Sequence, residues 1–188
     1  MSRPPLLSLD EALPLLLARA QPLPGVDEVS TFEGDGRVLA EDLLSALQVP
    51  PQDNSSMDGY AVRCADVSAP GAVLKVTQRI PAGTHGLPLN AGEAARIFTG
   101  APIPPGADAV VMQEDCEVIG TPDASGLGYQ VKINVQPHKG QWIRERGEDL
   151  KASQVALHAG TFLRPQELGV AASAGLTHLK VKRRIKVA

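Results

Sequence analysis

Aromatic residues are scarce in this sequence, at 3% of its 188 residues. A nucleic-acid surface built on base stacking needs several exposed aromatic side chains, so this composition excludes such a platform. Basic residues are also unevenly distributed. Outside the last nine residues the chain carries 13 basic against 21 acidic residues, and duplex binding needs a basic face. We therefore expect no nucleic-acid partner. The five remaining basic residues are Lys180, Lys182, Arg183, Arg184 and Lys186.

Cysteines and long apolar runs are also few. Cys64 and Cys116 lack the CxxC spacing and the His-rich surroundings of a zinc site, so we predict buried thiols in a reducing cytosol. No window of the chain is apolar over the length of a membrane span. Arg3-Pro4-Pro5 is followed by no sustained apolar region of the kind that signal peptides contain. We expect a cytoplasmic protein without a membrane partner.

Glycine and proline are abundant, with 18 and 16 residues, which favours short strands joined by close turns. The chain length allows one or two domains. Residues 72–135 have a β pattern: alternation at Val73–Gln78, a buried-strand run at Ala109–Met112 and alternation again at Tyr129–Ile133. Together they predict a small barrel-like or sandwich-like module.

The ends of the chain have a mixed α/β pattern. Ser8 and Glu11 have the spacing of a capping box, which predicts a helix start. Pro14 predicts a kink or a late start, because proline inside a helix costs about 3 kcal/mol. A second helix is predicted from Pro165 to just before Gly175, with a short helical turn at 36–42 and a strand at 43–47. The first helix has an apolar stripe, predicted as core or interface: Leu9, Leu13, Leu16, Leu17 and Ala20.

Three polar stretches are richer than turns require. The first, residues 53–63, holds two carboxylates, an amide and two hydroxyls within six positions. Such side chains also serve as well-capped turns, and taken alone this stretch fits that reading equally well. The second stretch covers residues 96–111 and contains Thr99-Gly100-Ala101-Pro102. The third is Arg144-Glu145-Arg146-Gly147-Glu148-Asp149.

Taken in order, these three stretches resemble the molybdopterin molybdenumtransferase family, which includes the E domain of gephyrin. The resemblance runs from about Leu9 to the end of the chain. It implies conversion of adenylylated molybdopterin and molybdate into molybdenum cofactor and AMP, with Mg²⁺ as cofactor. Two departures are visible: Gln52 stands where relatives commonly have an aromatic residue, and Glu145 where they often have a basic or neutral one.

The resemblance also implies an α+β fold. Residues 1–49 and 141–188 would form one discontinuous mixed α/β domain, with residues 50–140 inserted as a β-rich, barrel-like domain. The chain stops where relatives begin the large α/β domain that binds the pterin. We therefore expect the first two domains of a transferase, without the pterin-binding domain, and expect this chain alone to be inactive.

The resemblance assigns the site residue by residue. Asp58, Thr99 and Asp149 are the expected catalytic residues, and Asp58 and Asp149 the expected Mg²⁺ ligands. The expected substrate-binding residues are Gly100, Arg144 and Arg146. For the two arginines, a surface ion-pair network with the adjacent acids is an equally good interpretation. Asp53, Asn54 and Asp108 are expected to shape loops.

Two further expectations follow. If Asp58 and Asp149 share a site, they should converge with Thr99 on one face of the β-rich unit, although 91 positions separate the two aspartates. We expect a homodimer, because the two helices have apolar faces and because members of the family are dimers. The alternative function is a dimerising scaffold without catalysis. A metal-dependent hydrolase is the weakest hypothesis, because no nucleophile or histidine pair supports it.

Overall fold

The computed structural model describes residues 6–21 and 23–185, so Arg3-Pro4-Pro5 and Lys186 lie outside the described residues. The described chain forms two compact units, Met1–Ala46 with Gln154–Ala188, and Leu47–Ser153. Among the described residues it has two α-helices and twelve strands: α1 Leu9–Leu17, β1 Val26–Ser30, β2 Leu43–Leu44, β3 Asn54–Ser55, β4 Gly59–Val62, β5 Ala72–Ile80, β6 Glu93–Ile97, β7 Ala109–Met112, β8 Cys116–Ile119, β9 Gln130–Ile133, β10 Ile143–Arg144, β11 Val155–Leu157, α2 Pro165–Ser173 and β12 His178–Lys182.

The unit Leu47–Ser153 is built on a six-stranded sheet with strand order β7-β4-β6-β5-β9-β8. The sheet curls into a half-barrel, so the α+β class with a barrel-like β-rich part is confirmed. Only the β5–β6 pair is parallel among the pairings of the described strands. Its register shifts between Val76 and Gln78, where one extra residue bends β5.

Both faces of this sheet are covered by apolar side chains. Along β4, Tyr60 and Val62 pack into one cluster with β7, β8 and β9, and Ala61 packs into the other. The second cluster contains Ile80, Ile97 and Val110, with Ile103 and Ile143 partly buried against it. Strand β4 is therefore buried along its whole length, and the loop that precedes it starts from a rigid base.

A short polar strand, β3, lies beside this second cluster and carries the first polar stretch. On one side it pairs with β10, with Asn54 opposite Arg144. On the other side it meets the turn after β6, where Asn54 bridges Pro102 and the Ser55 amide donates to Ala101 O (2.9 Å). From the sequence only an ordered loop was expected here, because a strand of two polar residues has no hydrophobic alternation. The three polar stretches thus meet around β3.

The other unit contains the chain's ends. Strands β1 and β12 pair antiparallel, as do β2 and β11. Helix α2 begins with Pro165 at its first turn and is followed by Gly175 at φ +83°, as predicted. Its Ala171 is buried, as are Leu163 and Val181.

Helix α1 differs from its prediction in two ways. The capping box of Ser8 and Glu11 is present, but the helix starts at Leu9 and continues through Pro14, so the predicted late start is wrong. The apolar stripe was predicted as core or interface, yet no residue of α1 is buried. The prediction of a helical turn at 36–42 is also wrong, since these residues form bridges and bends while the 3-10 helix lies earlier, at Thr31–Glu33.

The sequence predicted the β-rich domain at 50–140, whereas the compact unit extends over Leu47–Ser153. The additional segment belongs to it because β10 pairs with β3 and because the Arg146 amide donates to Asp53 Oδ1 (2.7 Å). Among the described residues, no helix has the length and apolar character to cross a membrane.

Candidate functional site

The loop between β3 and β4 is held by its own serines. The buried Ser55 hydroxyl donates to Met57 O (2.6 Å) and accepts from the Met57 amide (3.2 Å). Ser56 donates to Trp142 O from both its amide and its hydroxyl. These hydroxyls therefore shape the loop, and the residue that the loop presents to solvent is Asp58.

Asp58 and Thr99 are in direct contact. Both the Thr99 amide and the Thr99 hydroxyl donate to Asp58 Oδ1, each at 2.8 Å. Thr99 was expected to be a catalytic residue. Because a carboxylate accepts, the single hydroxyl hydrogen is committed to Asp58, and Thr99 can offer a ligand only its oxygen lone pairs in this state.

These two hydrogen bonds stabilise the ionised form of Asp58. The Thr99 amide lowers the pKa of the Asp58 carboxyl most, the Thr99 hydroxyl lowers it further, and the nearby Arg96 charge adds a smaller effect. Asp58 is exposed, so desolvation opposes them only weakly. The carboxylate is ionised at neutral pH and fixed in orientation through one of its oxygens.

Two glycines keep this pair in place. A Cβ on Gly59 would lie 1.9 Å from Val111 O on the neighbouring strand β7, so only glycine fits beside Asp58. Gly100 has φ +81°, and its amide donates to Ser55 O (2.8 Å). Gly100 was expected to bind substrate, and its amide is already used to hold the turn against β3.

Asp149 is paired with Arg144 instead. Arg144 Nη2 donates to both carboxylate oxygens of Asp149, at 2.7 and 2.6 Å, and Nε lies 3.8 Å from Glu148 Oε2. These bonds raise the pKa of the Arg144 guanidinium, chiefly through Asp149. The contacts are those of the ion-pair network weighed as the alternative for Arg144, and an anion would have to compete with Asp149 for this side chain.

Arg146 has a different environment. Its Nε donates to Gln48 Oε1, and no carboxylate of the described residues lies within ion-pair distance of its guanidinium. It lines an open cavity of about 480 Å³ that also contains Lys139. Of the two expected substrate-binding arginines, Arg146 is the one whose charge remains available. The other cavity residues are Asp53, Ile103, Ala107, Asp108, Gly140, Ile143 and Glu145.

The predicted convergence is thus seen for one pair: Asp58 contacts Thr99, whereas Asp149 contacts Arg144. The two pairs flank β3, because Gly100 hydrogen-bonds to one side of this strand and Arg144 pairs with the other. Asp53 and Asp108 shape loops as expected: Asp53 accepts from the Arg146 amide, and Asp108 accepts from the Cys64 amide (2.7 Å).

The donor set fits Mg²⁺ at Asp58 better than at Asp149. Mg²⁺ typically takes one or two carboxylates and completes its shell with water and substrate phosphates. Thr99 uses Oδ1 of Asp58, which leaves Oδ2 for a cation, while both oxygens of Asp149 accept from Arg144. Across residues 6–21 and 23–185, no cluster of three or more His, Cys, Asp or Glu residues could hold a metal ion. A cation here would be a one-carboxylate site completed by the substrate.

The cysteines carry no reactive chemistry. Both are free and half-buried. Burial, the largest cause, raises the pKa of Cys64 to about 11 and that of Cys116 to about 12, so both are neutral thiols.

Arg96 and Gln113 were not among the predicted site residues. Arg96 donates to Gly59 O (2.9 Å) and to Gln113 Oε1 (2.6 Å), and the backbone amide of Gln113 donates to Asp58 O (3.0 Å). Arg96 stood at the head of the second polar stretch, but in the middle of an apolar strand. Nothing in the sequence said that β6 would pair with β4 and bring it under Asp58.

Comparison with known proteins supports the resemblance seen in the sequence. Residues 7–175 match the model of the MoeA N-terminal region (domain I and II). The chain belongs to the MoeA family. It is 41% identical over 164 residues to molybdopterin molybdenumtransferase 2 of Mycobacterium tuberculosis, covering 85% of this chain and 38% of the relative. With the molybdopterin molybdenumtransferase of Synechococcus elongatus it shares 37% identity over 190 residues, 97% of this chain and 45% of the relative.

The fold agrees with the same assignment. The crystal structure of the molybdopterin biosynthesis moeA protein from Pyrococcus horikoshii superposes with a TM-score of 0.82 and 35% identity, covering 92% of this chain and 45% of that chain. The chain therefore spans less than half the length of these MoeA relatives, and their full activity comes to it only as a proposal.

Proposed function

We propose that this chain supplies the acidic, hydroxyl-bearing part of a transferase site that converts adenylylated molybdopterin and molybdate into molybdenum cofactor and AMP in the cytoplasm. The carrying observation is the Asp58–Thr99 pair: an exposed, ionised carboxylate that is oriented through two 2.8 Å hydrogen bonds. Membership of the MoeA family supports this proposal independently of the site geometry. Because an aspartate in a turn can be held in a similar way, as Asp123 is, the test compares these two carboxylates.

The roles follow from the contacts. Thr99 orients Asp58 and lowers the pKa of its carboxyl further below neutral pH. Asp58 Oδ2 can then accept a proton or contact a cation that accompanies the anionic substrates. Mg²⁺, when bound through Asp58, would neutralise phosphate charge. Arg146, whose guanidinium lacks a carboxylate partner within the described chain, would contact an anionic group, and the Arg144–Asp149 pair would line the opposite side of β3.

The test compares two aspartates in the native gene product. Asp123 is a matched control, since its carboxylate is also exposed and accepts from a nearby hydroxyl and amides, those of Ser125 and Leu127, at the tip of the β8–β9 hairpin. We expect Asp58→Asn to lower cofactor formation by roughly 100-fold or more with little change in melting temperature. Asp123→Asn should leave it unchanged. Equal rates for Asp58→Asn and wild type would refute the proposal.

Magnesium gives a second readout of the same assay. Chelation should abolish product formation by the wild type, and Asp58→Asn should require more Mg²⁺ for half-maximal rate. A rate that is independent of Mg²⁺ would remove the cation from the proposal while leaving the carboxylate test intact.

A dimerising scaffold is the second candidate, and helix α1 favours it. None of its residues is buried, and Leu9 and Leu16 are 77% and 68% exposed. Such an apolar helix face is typical of an interface. We expect sedimentation to show a homodimer that Leu16→Asp weakens, whereas Asp10→Asn on the same helix does not. A monomer at micromolar concentration would contradict this, and a dimer with no turnover would favour the scaffold.

A further inference from the structure

Arg96 lies directly beneath the Asp58–Thr99 pair. It belongs to β6, three residues before Thr99, and it is paired in register with Tyr60 of β4. Its Nη1 donates to Gly59 O at 2.9 Å, and its Nη2 donates to Gln113 Oε1 at 2.6 Å. The backbone amide of Gln113 donates to Asp58 O at 3.0 Å. The backbone carbonyls of Asp58 and Gly59 are therefore both held, one by Gln113 and one by Arg96.

Two aromatic rings lie close to the same guanidinium. The Arg96 guanidinium carbon lies 4.5 Å from the centroid of the Phe98 ring and 5.4 Å from that of Tyr60. Phe98 precedes Thr99, and Tyr60 follows Gly59. Arginine suits this position because its planar, forked group can stack on rings and donate in its own plane together. Arg96 thus connects the residues next to Asp58 with the residue next to Thr99.

The charge of Arg96 is not cancelled by an ion pair. No carboxylate of residues 6–21 and 23–185 lies within ion-pair distance of it, and its hydrogen-bond acceptors are neutral oxygens. A half-buried cation that serves only to fill space would usually be paired. This one acts on the carboxyl of Asp58, in a candidate site whose expected substrates are anions.

We propose that Arg96 is a positioning residue, which holds the loop of Asp58 and the turn of Thr99 at hydrogen-bonding distance through Gly59, Gln113 and Phe98. The effect on turnover rests on the proposed function, whereas the effect on the Asp58–Thr99 geometry does not. Arg96 itself touches no reacting atom. It sets the orientation of the Asp58 carboxylate, which is the group that would contact the substrate or its cation.

Arg79 offers a matched control. It is paired with Arg96 in the β5–β6 register, and its guanidinium lies 4.6 Å from the same Phe98 ring. It is exposed, and in the described structure it makes none of the hydrogen bonds to Gly59 or Gln113 that Arg96 makes. Arg79→Gln removes a cation from the ring, while Arg96→Gln also removes the bonds to the loop.

The experiment measures the geometry first. In the native gene product, the amide proton of Thr99 reports its hydrogen bond to Asp58. We expect Arg96→Gln to move the Thr99 amide resonance upfield. Arg96→Lys should restore part of this shift, because one ammonium cannot reach both acceptors as a fork does. Arg79→Gln should leave the resonance unchanged.

Gln113→Ala provides a second test in case the Arg96→Gln variant does not fold. It removes one acceptor of Arg96 but keeps the cation and both ring contacts, so the same resonance should shift in the same direction by a smaller amount. An unshifted Thr99 resonance in folded Arg96→Gln, or in Gln113→Ala if the former does not fold, overturns the proposal.

The kinetic arm separates this proposal from the proposed function. If both hold, Arg96→Gln lowers kcat by roughly tenfold with little change in KM, since substrate contacts remain while the carboxylate is misaligned. A wild type without turnover that still shows the NMR shifts refutes the proposed function alone. Turnover that depends on Asp58 but not on Arg96, with an unshifted Thr99 resonance, refutes the positioning role alone.

Discussion

Two side-chain pairs lie on either side of β3, Asp58 with Thr99 and Asp149 with Arg144. Each contains one carboxylate, and the two pairs differ in net charge. Asp58 accepts from an amide and a hydroxyl of Thr99, both neutral, so the pair keeps its negative charge. Asp149 accepts from the guanidinium of Arg144, so that pair is close to neutral. A charged pair can attract a cation or accept a proton, whereas a neutral pair can only be opened by a competing ion. The same residue type is therefore chemically available on one side of the strand and occupied on the other.

The two pairs also differ in how they are built. Arg144 and Asp149 are five positions apart in one turn, so their contact is local. Asp58 and Thr99 are 41 positions apart and meet because β4 and β6 pair, with Gly59 opposite Ile97. The charged pair thus depends on the sheet, and the neutral pair depends on its loop. Changes in the sheet should affect only the first.

The largest expected effect comes from breaking the sheet at Gly59. Gly59→Ala places a Cβ 1.9 Å from Val111 O, and β4 cannot move because both of its faces are packed. We expect the free energy of unfolding to fall by about 1–3 kcal/mol or more, together with loss of the Asp58–Thr99 contact. Thermal or urea unfolding measures the first effect and the Thr99 amide resonance the second.

Gly169→Ala in α2 is the control for Gly59→Ala. A Cβ there meets nothing within 4 Å, and alanine favours helix, so we expect unchanged or raised stability by about 0.5–1 kcal/mol. Equal stability of Gly59→Ala and wild type would show that β4 is not held as described.

Much of the sheet could be predicted from the sequence, and little of the side-chain network. The run Ala109–Met112 is the strand β7 as predicted, because four apolar residues between turn signals have few alternatives. The pairing of Arg96 with Tyr60 depends on which strands become neighbours, and no local pattern encodes that. The exposure of α1 has a similar reason, because a stripe of leucines looks the same whether it faces a core or solvent.

The candidate site residues were chosen by resemblance rather than from physical principles. Asp58 and Thr99 were chosen because they match the family's motifs, and the structure shows that the pairing of β4 with β6 brings them into contact. Asp149 came from the same source, yet its partner Arg144 was visible in the sequence as one of several adjacent opposite charges. Geometry was needed to choose Asp149 over Glu148 as the closer partner, at 2.6 Å against 3.8 Å.

The second prediction weakens the charged pair without touching the sheet. Thr99→Val removes the hydroxyl and keeps the amide donor, whereas Thr99→Ser keeps both. We expect roughly tenfold slower cofactor formation by the valine variant of the native gene product, and near wild-type rates for serine. A slow serine variant beside a valine variant of near wild-type rate would mean that the methyl group, and not the hydroxyl, is what the site needs.

The third prediction tests whether the neutral pair acts as a unit. We expect Asp149→Asn to lower cofactor formation by a few-fold, less than Asp58→Asn, with no measurable change in melting temperature because the pair is exposed. Arg144→Gln should have a similar effect, and the double variant should be no slower than either single one. Additive effects would show that Arg144 and Asp149 act separately, with Arg144 free for an anion.

The smallest expected effect is a shift in the titration of Asp58. Its folded-state pKa lies below the ordinary aspartate value, chiefly because of the Thr99 amide and then the Thr99 hydroxyl. A lowered pKa means that the Asp58–Thr99 bonds stabilise the fold at pH values above the ordinary aspartate pKa, and that this contribution disappears as the pH falls through the lowered value. In Thr99→Val the amide bond remains, so the pKa of Asp58 should rise only part of the way.

Asp123 is an internal reference, because its pKa is lowered by Ser125 and Leu127 and should not respond. Carboxyl carbon shifts followed by NMR from neutral pH into acid measure both residues in one sample. If the Asp58 midpoint does not move, the hydroxyl bond contributes nothing to the charge of the pair, and the contrast with Arg144–Asp149 rests on the amide alone.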